Sequence, residues 1–396
     1  MNKKLFHRFF GLLLMLSATS FLIAMSGQPK EAKRPDVPDL APLPPPPVPA
    51  DNPQSPEKVE LGRLLFFDAR LGGDVSISCG DCHSPAIGWQ DGADICRGYP
   101  GTSHWRNCQT VINAAYFDKL FWAGASRSLE GQARGAAKGG VAGNGEDDLM
   151  EERLRQIPEY IKRFKQVFGT ERPELFDAWR AIAAFERTLV QRDTPFDKYL
   201  QGDEDALSED AVKGMELFKG KANCVECHNG ALLTDQKYYN LGVPENTVFD
   251  EDALKQITFR YEQYAKGVSE EIYRKVKTDL GLYYRSKRTE DMGKFRTPML
   301  RYLIYTPPYM HNGIFWTLEE VIDFYNEGGG EDEIAKEFGH STKTELLKPL
   351  GLTDAEKAQL VAFLESLSGA EIVMDIPALP PYGVDRGDGL KVEEAQ

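Results

Sequence analysis

Cys79-Gly80-Asp81-Cys82-His83 places two thiols three positions apart and an imidazole directly after the second. Two such thiols can add across the vinyl groups of a haem while the histidine takes an axial site on its iron. The same spacing returns at Cys224-Val225-Glu226-Cys227-His228. A CxxC pair on its own is also half of a zinc site. Two copies, each following a Gly-x-x-Leu-Phe segment (Gly62 to Phe66 and Gly214 to Phe218), favour two covalently bound haem c groups. The haem-binding residues are then Cys79, Cys82, His83, Cys224, Cys227 and His228, with His83 and His228 on iron.

Upstream, Lys3, Lys4 and Arg8 precede an apolar run from Phe9 to Met25, which ends in small residues. Residues 1–27 therefore read as a secretory signal peptide, which predicts an exported, periplasmic protein. An uncleaved anchor is the alternative, and only then would the chain meet a membrane. Residues 28–56 carry eleven prolines and cannot bury a core, so they read as a semi-rigid tether or as an arm on the folded body. The rest of the chain has the length for two domains, 57–205 and 206–370, each with a haem motif near its start and a closing helix at its end, before a tail at 371–396. Helices are predicted from Ser55-Pro56-Glu57, over Asp148 to Arg155, over Phe176 to Val190, and from Thr353-Asp354 to Ser366. The tyrosines and charges between about Asp235 and Phe295 fit short helices and a hairpin.

The formal charge is −14, and three units more negative without the basic residues of the first segment. Such a surface disfavours nucleic acid and anionic lipid as partners and suits a basic electron-transfer protein, although solubility alone also explains it. Six cysteines minus the four of the motifs leave Cys96 and Cys108. In an oxidising compartment this even remainder predicts a disulfide closing a loop that holds Tyr99 and His104; two free buried thiols are the alternative.

Further motifs resemble a known family. Lys58-Val59-Glu60-Leu61-Gly62-Arg63-Leu64-Leu65-Phe66-Phe67-Asp68, Arg106-Asn107 with Thr110-Val111-Ile112-Asn113, Phe121-Trp122-x-Gly124 and Thr306-Pro307-Pro308-Tyr309-Met310-His311-Asn312-Gly313 look like the bacterial dihaem cytochrome c peroxidases, a superfamily that includes MauG. The resemblance implies an all-α fold of two cytochrome c-like domains with few short strands. It also implies a calcium ion held by the Asn107 side chain and the carbonyls of Thr306 and Pro308, and Trp122 relaying electrons between the haems. Fourteen residues after His311, where the conventional peroxidases carry an iron-ligating methionine, stands Tyr325, as in MauG-like members. Tyrosine ligation lowers the potential of a haem that a thioether would raise; Met292, Met299 and Met310 are the alternative ligands.

At the first haem the resemblance implies a distal glutamine at Gln132, but the position of the distal glutamate holds Ala142. Glu146 is the nearby substitute, or else a solvated acid at the start of the next helix. The distal histidine position holds Tyr99, with His104 five residues on as a replacement ligand. Ala222 stands where MauG has a surface tryptophan. The implied activity is a peroxide-dependent oxidoreductase that passes oxidising equivalents to a protein substrate or a small electron donor. A conventional hydrogen peroxide-reducing cytochrome c peroxidase and a non-catalytic dihaem electron carrier are the alternatives.

Overall fold

The computed structural model describes residues 38–275 and 277–383. The signal segment, the first part of the proline-rich segment and the last thirteen residues lie outside the described residues. The described residues belong to a single contact unit in which the same helix pairing is used twice. In the first, Ser55 caps the helix Pro56–Phe66 by accepting from the Lys58 amide, and Pro56 fills the first turn where no amide donor is needed. That helix crosses Leu175–Glu186 at Gly62, where a Cβ would sit 1.9 Å from the Ala181 carbonyl oxygen. In the second, Glu209–Lys219 crosses Asp354–Ser366 at Gly214, where a Cβ would sit 1.9 Å from the Gln359 carbonyl oxygen. Only glycine permits such an approach. The Gly of each Gly-x-x-Leu-Phe segment is therefore a crossing point, and the Phe (Phe66, Phe218) enters the core the crossing builds.

The first core gathers Leu61, Leu65, Phe66, Trp89, Tyr160, Ile182 and Phe185, and the second Phe196, Phe218, Phe363 and Leu367. The described residues are mostly helical, with two short strands. The predicted helices are present, with one shortened: periodicity predicts Phe176 to Val190, and the helix runs Leu175–Glu186. It stops because Asn113 captures the chain beyond it, donating its amide to the Leu189 carbonyl and accepting from the Gln191 amide, both at 2.9 Å.

Of the two readings of the proline-rich segment, the described part fits the arm. Leu43 is buried, the Tyr116 hydroxyl donates to the Pro44 carbonyl at 2.6 Å, and Arg301 reaches the Ala41 carbonyl. Between Asp235 and Phe295 the helices Val248–Glu251, Ala253–Ala265, Glu270–Lys275 and Tyr283–Ser286 are as expected, but the strands form no local hairpin. Tyr238–Tyr239 instead pairs antiparallel with Phe295–Arg296, so the two strands bracket the whole insertion. Its Phe259, Val268, Leu280 and Tyr284 pack against Trp105 and Val141 in a third core. The insertion thereby covers the loop that holds His104.

Candidate haem-binding site

In both motifs the histidine amide donates to the first cysteine carbonyl at 2.9 Å (His83 to Cys79, His228 to Cys224), which turns the chain so that thiols and imidazole share one wall. His83 Nδ1 lies 3.2 Å from the Trp89 carbonyl, and His228 Nδ1 lies 3.1 Å from the Leu233 carbonyl. A carbonyl only accepts, so Nδ1 carries the proton in each ring and Nε2 keeps its lone pair free for a metal. Burial lowers both imidazole pKa values and holds the rings neutral. Burial also pushes the Cys82 and Cys224 thiols up to about 12 and Cys227 up to about 11.

Both motifs open onto one cavity of about 1100 Å³, above the usual range of roughly 300–1,000 Å³ for small-molecule sites. Trp122, Gln132, Ala142, Ala222, His104, Asn107, Thr306, Pro308 and Tyr325 also line it. Trp122 is fixed within it: its indole N–H donates to the Asn107 carbonyl at 2.9 Å, and its ring meets the His311 ring edge-on at 6.5 Å. The Asn107 amide in turn donates to the His311 carbonyl at 2.8 Å.

Tyr325 sits in the last turn of the helix Leu318–Asn326. Burial raises its phenol pKa far above the ordinary value, and Cys224 and Cys227 raise it further. Tyr325 and the thiols of the second motif line the same cavity. Of the alternative sulfur ligands, Met292 is buried in the third core, whereas Met299 and Met310 line the cavity.

Around the first motif the substitutes part company. Glu146 is exposed at the N-cap of the helix Asp147–Arg155 and lies outside the cavity wall, the solvated position that charge placement suggests. Tyr99 turns away, its ring against Gly73 and its hydroxyl on Asp74. His104 does line the cavity, stacked on Trp105 with ring centroids 6.4 Å apart. Its Nδ1 accepts from the Arg106 amide at 3.2 Å. The neutral ring then carries its proton on Nε2, opposite to His83 and His228. Burial, with Arg106 and Lys266 nearby, lowers its pKa to about 4 and keeps it neutral. Cys96 and Cys108 form the disulfide that closes this loop, with Cα atoms 4.8 Å apart.

The family model of the di-haem cytochrome c peroxidases matches residues 56–205. A cytochrome-c peroxidase, IdrP1, of Pseudomonas sp. (strain SCT) is 55% identical over 83% of this chain and 86% of its own length. The chain belongs to the dihaem cytochrome c peroxidase family. As a dihaem peroxidase it is also 35% identical to the methylamine utilization protein MauG of Methylorubrum extorquens, over 83% of each chain. A solved structure of a MauG-like protein associated with microbial copper homeostasis superposes with a TM-score of 0.69 and 32% identity, covering 85% of this chain and 96% of the other. The fold is thus that of two cytochrome c-like domains, the cofactors are two haems, and the protein is an oxidoreductase.

Two cavity acids escape motif reading: Glu186 and Glu245. Glu186 was legible in principle, seven positions after Trp179 on the apolar face of an amphipathic helix, where an acid is out of place. Glu245 lies in the insertion, which has no periodicity to read. Burial, then the charge of Asp279, raises its carboxyl pKa to about 8 from 4.5. The folded chain therefore keeps a proton that the unfolded chain loses near pH 4.5. The stability present below that value is lost as pH climbs towards 8, at about 1.4 kcal/mol per unit. Glu245→Gln is expected to raise the thermal midpoint of the haem-loaded protein at pH 8 and leave it unchanged at pH 4, as read by calorimetry.

Proposed function

We propose that the chain is an exported, periplasmic oxidoreductase that consumes hydrogen peroxide and passes the oxidising equivalents through a coupled pair of covalent haems to a protein partner. The observation that carries this reading is the single cavity onto which both motifs, Trp122 and Tyr325 all open. Cys79 and Cys82 would hold one haem by thioether bonds and His83 would ligate its iron. Cys224, Cys227, His228 and Tyr325 would do the same for the second. Each haem supplies iron whose valence can change by one electron. The Nδ1–H bonds to Trp89 and Leu233 orient the two ligating rings, and the Trp122 ring, pinned by Asn107, would relay electrons between the haems. The domains would run over 57–205 and 206–370.

The oxygen donors proposed for calcium fit a hard cation. Asn107 commits its amide nitrogen to the carbonyls of Ala93 at 3.0 Å and Asp94 at 3.3 Å, so its oxygen points the other way. Its backbone carbonyl is the one Trp122 holds. A cation on the Asn107 side chain would therefore stiffen the Trp122 anchor. Chelation is expected to slow electron exchange between the haems at least several-fold while leaving both attached, as followed by stopped-flow absorption.

The test is stoichiometric: reduced protein mixed with hydrogen peroxide should give two electrons consumed per peroxide and two waters. Protein whose spectra do not change with peroxide would leave a dihaem electron carrier and end the proposal. A second reading, peroxide reduction with a small electron donor alone, is favoured by the 55% identity to a chain named cytochrome-c peroxidase. Rapid turnover with a basic cytochrome c as the electron source would support it, and slow turnover with long-lived oxidised haems would support the first.

A further inference from the structure

We propose that the Glu186 carboxyl is the proton donor of the first haem site, standing in for the acid that Ala142 lacks. This rests on peroxide reacting on the His83 side of the cavity. Glu186 is the last residue of the helix Leu175–Glu186, and with Trp179, two turns earlier on the same face, it lines the cavity. It is 2% exposed, and its Oε2 has no hydrogen-bond partner. A buried carboxylate without a partner is costly, whereas a buried carboxylic acid is a donor with one O–H to give.

None of the neighbouring charges hydrogen-bonds the Glu186 Oε2, although the Arg187 Nη1 is likewise buried without a partner. Arg187, next along the chain, turns its guanidinium to Glu130 at 2.5 Å, and Glu130 also accepts from Asn52 at 2.8 Å. Lys58, from the helix Pro56–Phe66, donates to Asn52 and to the Pro53 carbonyl. Burial raises the Glu186 pKa to about 8, against the pull of Arg187 and with the help of Glu130, so the group is a neutral acid at pH 7. Its charge would be felt by Cys79, one of the two thiols that would hold the first haem.

The helix that carries Gln132, Leu129–Lys138, packs directly against the Glu186 helix. An amide and a carboxyl thus reach the cavity from adjacent helices, and only the carboxyl can release a proton. Converting one hydrogen peroxide to two waters breaks the O–O bond and takes two electrons, drawn from the haem pair and its donor, and two protons. The departing oxygen needs one of those protons to leave as water. Glu186 gives it and is reprotonated from solvent.

Glu186→Gln keeps the shape and removes the proton. In the haem-loaded protein at pH 7 the infrared carbonyl absorption of protonated carboxyls should lose one component in Glu186→Gln, with the Glu245 component remaining. The peroxide rate constant should fall at least about tenfold, and adding Ala142→Glu to that variant should restore it. The wild-type rate should decline as pH passes about 8. If Glu186→Gln takes up no haem, Glu186→Asp serves: a shifted alkaline limb supports the assignment and an unshifted one overturns it. Wild-type protein inert to peroxide would sink the proposed function, and equal rates in wild type and Glu186→Gln would sink the Glu186 assignment alone.

Discussion

Tyr325→Met is expected to raise the reduction potential of the second haem by hundreds of millivolts, because a thioether favours ferrous iron and a phenolate favours ferric and higher states. The substitution reverses the one change that separates the proposed store of oxidising equivalents from a high-potential, electron-accepting haem. Tyr325 ends a capped helix and lines the cavity with Cys224 and Cys227, so a methionine of similar length would enter the same space. Spectroelectrochemical titration reads the shift directly. Peroxide should then oxidise the variant without the long-lived state expected of the wild type, and an unshifted potential would mean that Met299 or Met310 is the ligand.

Asp197→Asn is expected to be the most destabilising single polar change. Asp197 and Arg301 are both fully buried and meet through two parallel bonds of 2.8 Å. The same carboxylate accepts from the Thr194 hydroxyl at 2.8 Å and from the Leu43 amide at 3.3 Å, tying the proline-rich arm to the second core. Removing one partner strands a buried guanidinium, at a cost of roughly 3–5 kcal/mol. Calorimetry of the haem-loaded protein should show the thermal midpoint falling by roughly 5–10 °C. Pairing the change with Arg301→Met should recover most of the loss, since no unpaired charge then remains.

Much of the fold was legible because its signals are local. Ser55, Thr353 and the two crossing glycines each announce a helix start or a close approach within a few residues. The haem motifs are likewise written contiguously, and Trp122, Gln132 and Tyr325 come from a family pattern. What the residues alone do not disclose depends on distant contacts. The Asp235–Phe295 insertion packs on Trp105 and Val141, more than a hundred residues away, so neither its pairing nor its cover over His104 has a sequence signature. The tautomer of His104 depends on the Arg106 amide, and the isolation of Glu186 depends on Glu130 drawing Arg187 away. Glu146, next to the empty glutamate position in sequence, is exposed, and Glu186, forty-four residues from Ala142, lines the cavity.

The most direct test of a coupled, tyrosine-ligated haem pair is the low-temperature EPR spectrum of the diferric protein before and after one equivalent of hydrogen peroxide. One high-spin and one low-spin ferric signal should be present at first. Both should vanish together and return together over minutes. Two low-spin signals that peroxide leaves untouched, or loss of one signal without the other, would contradict it.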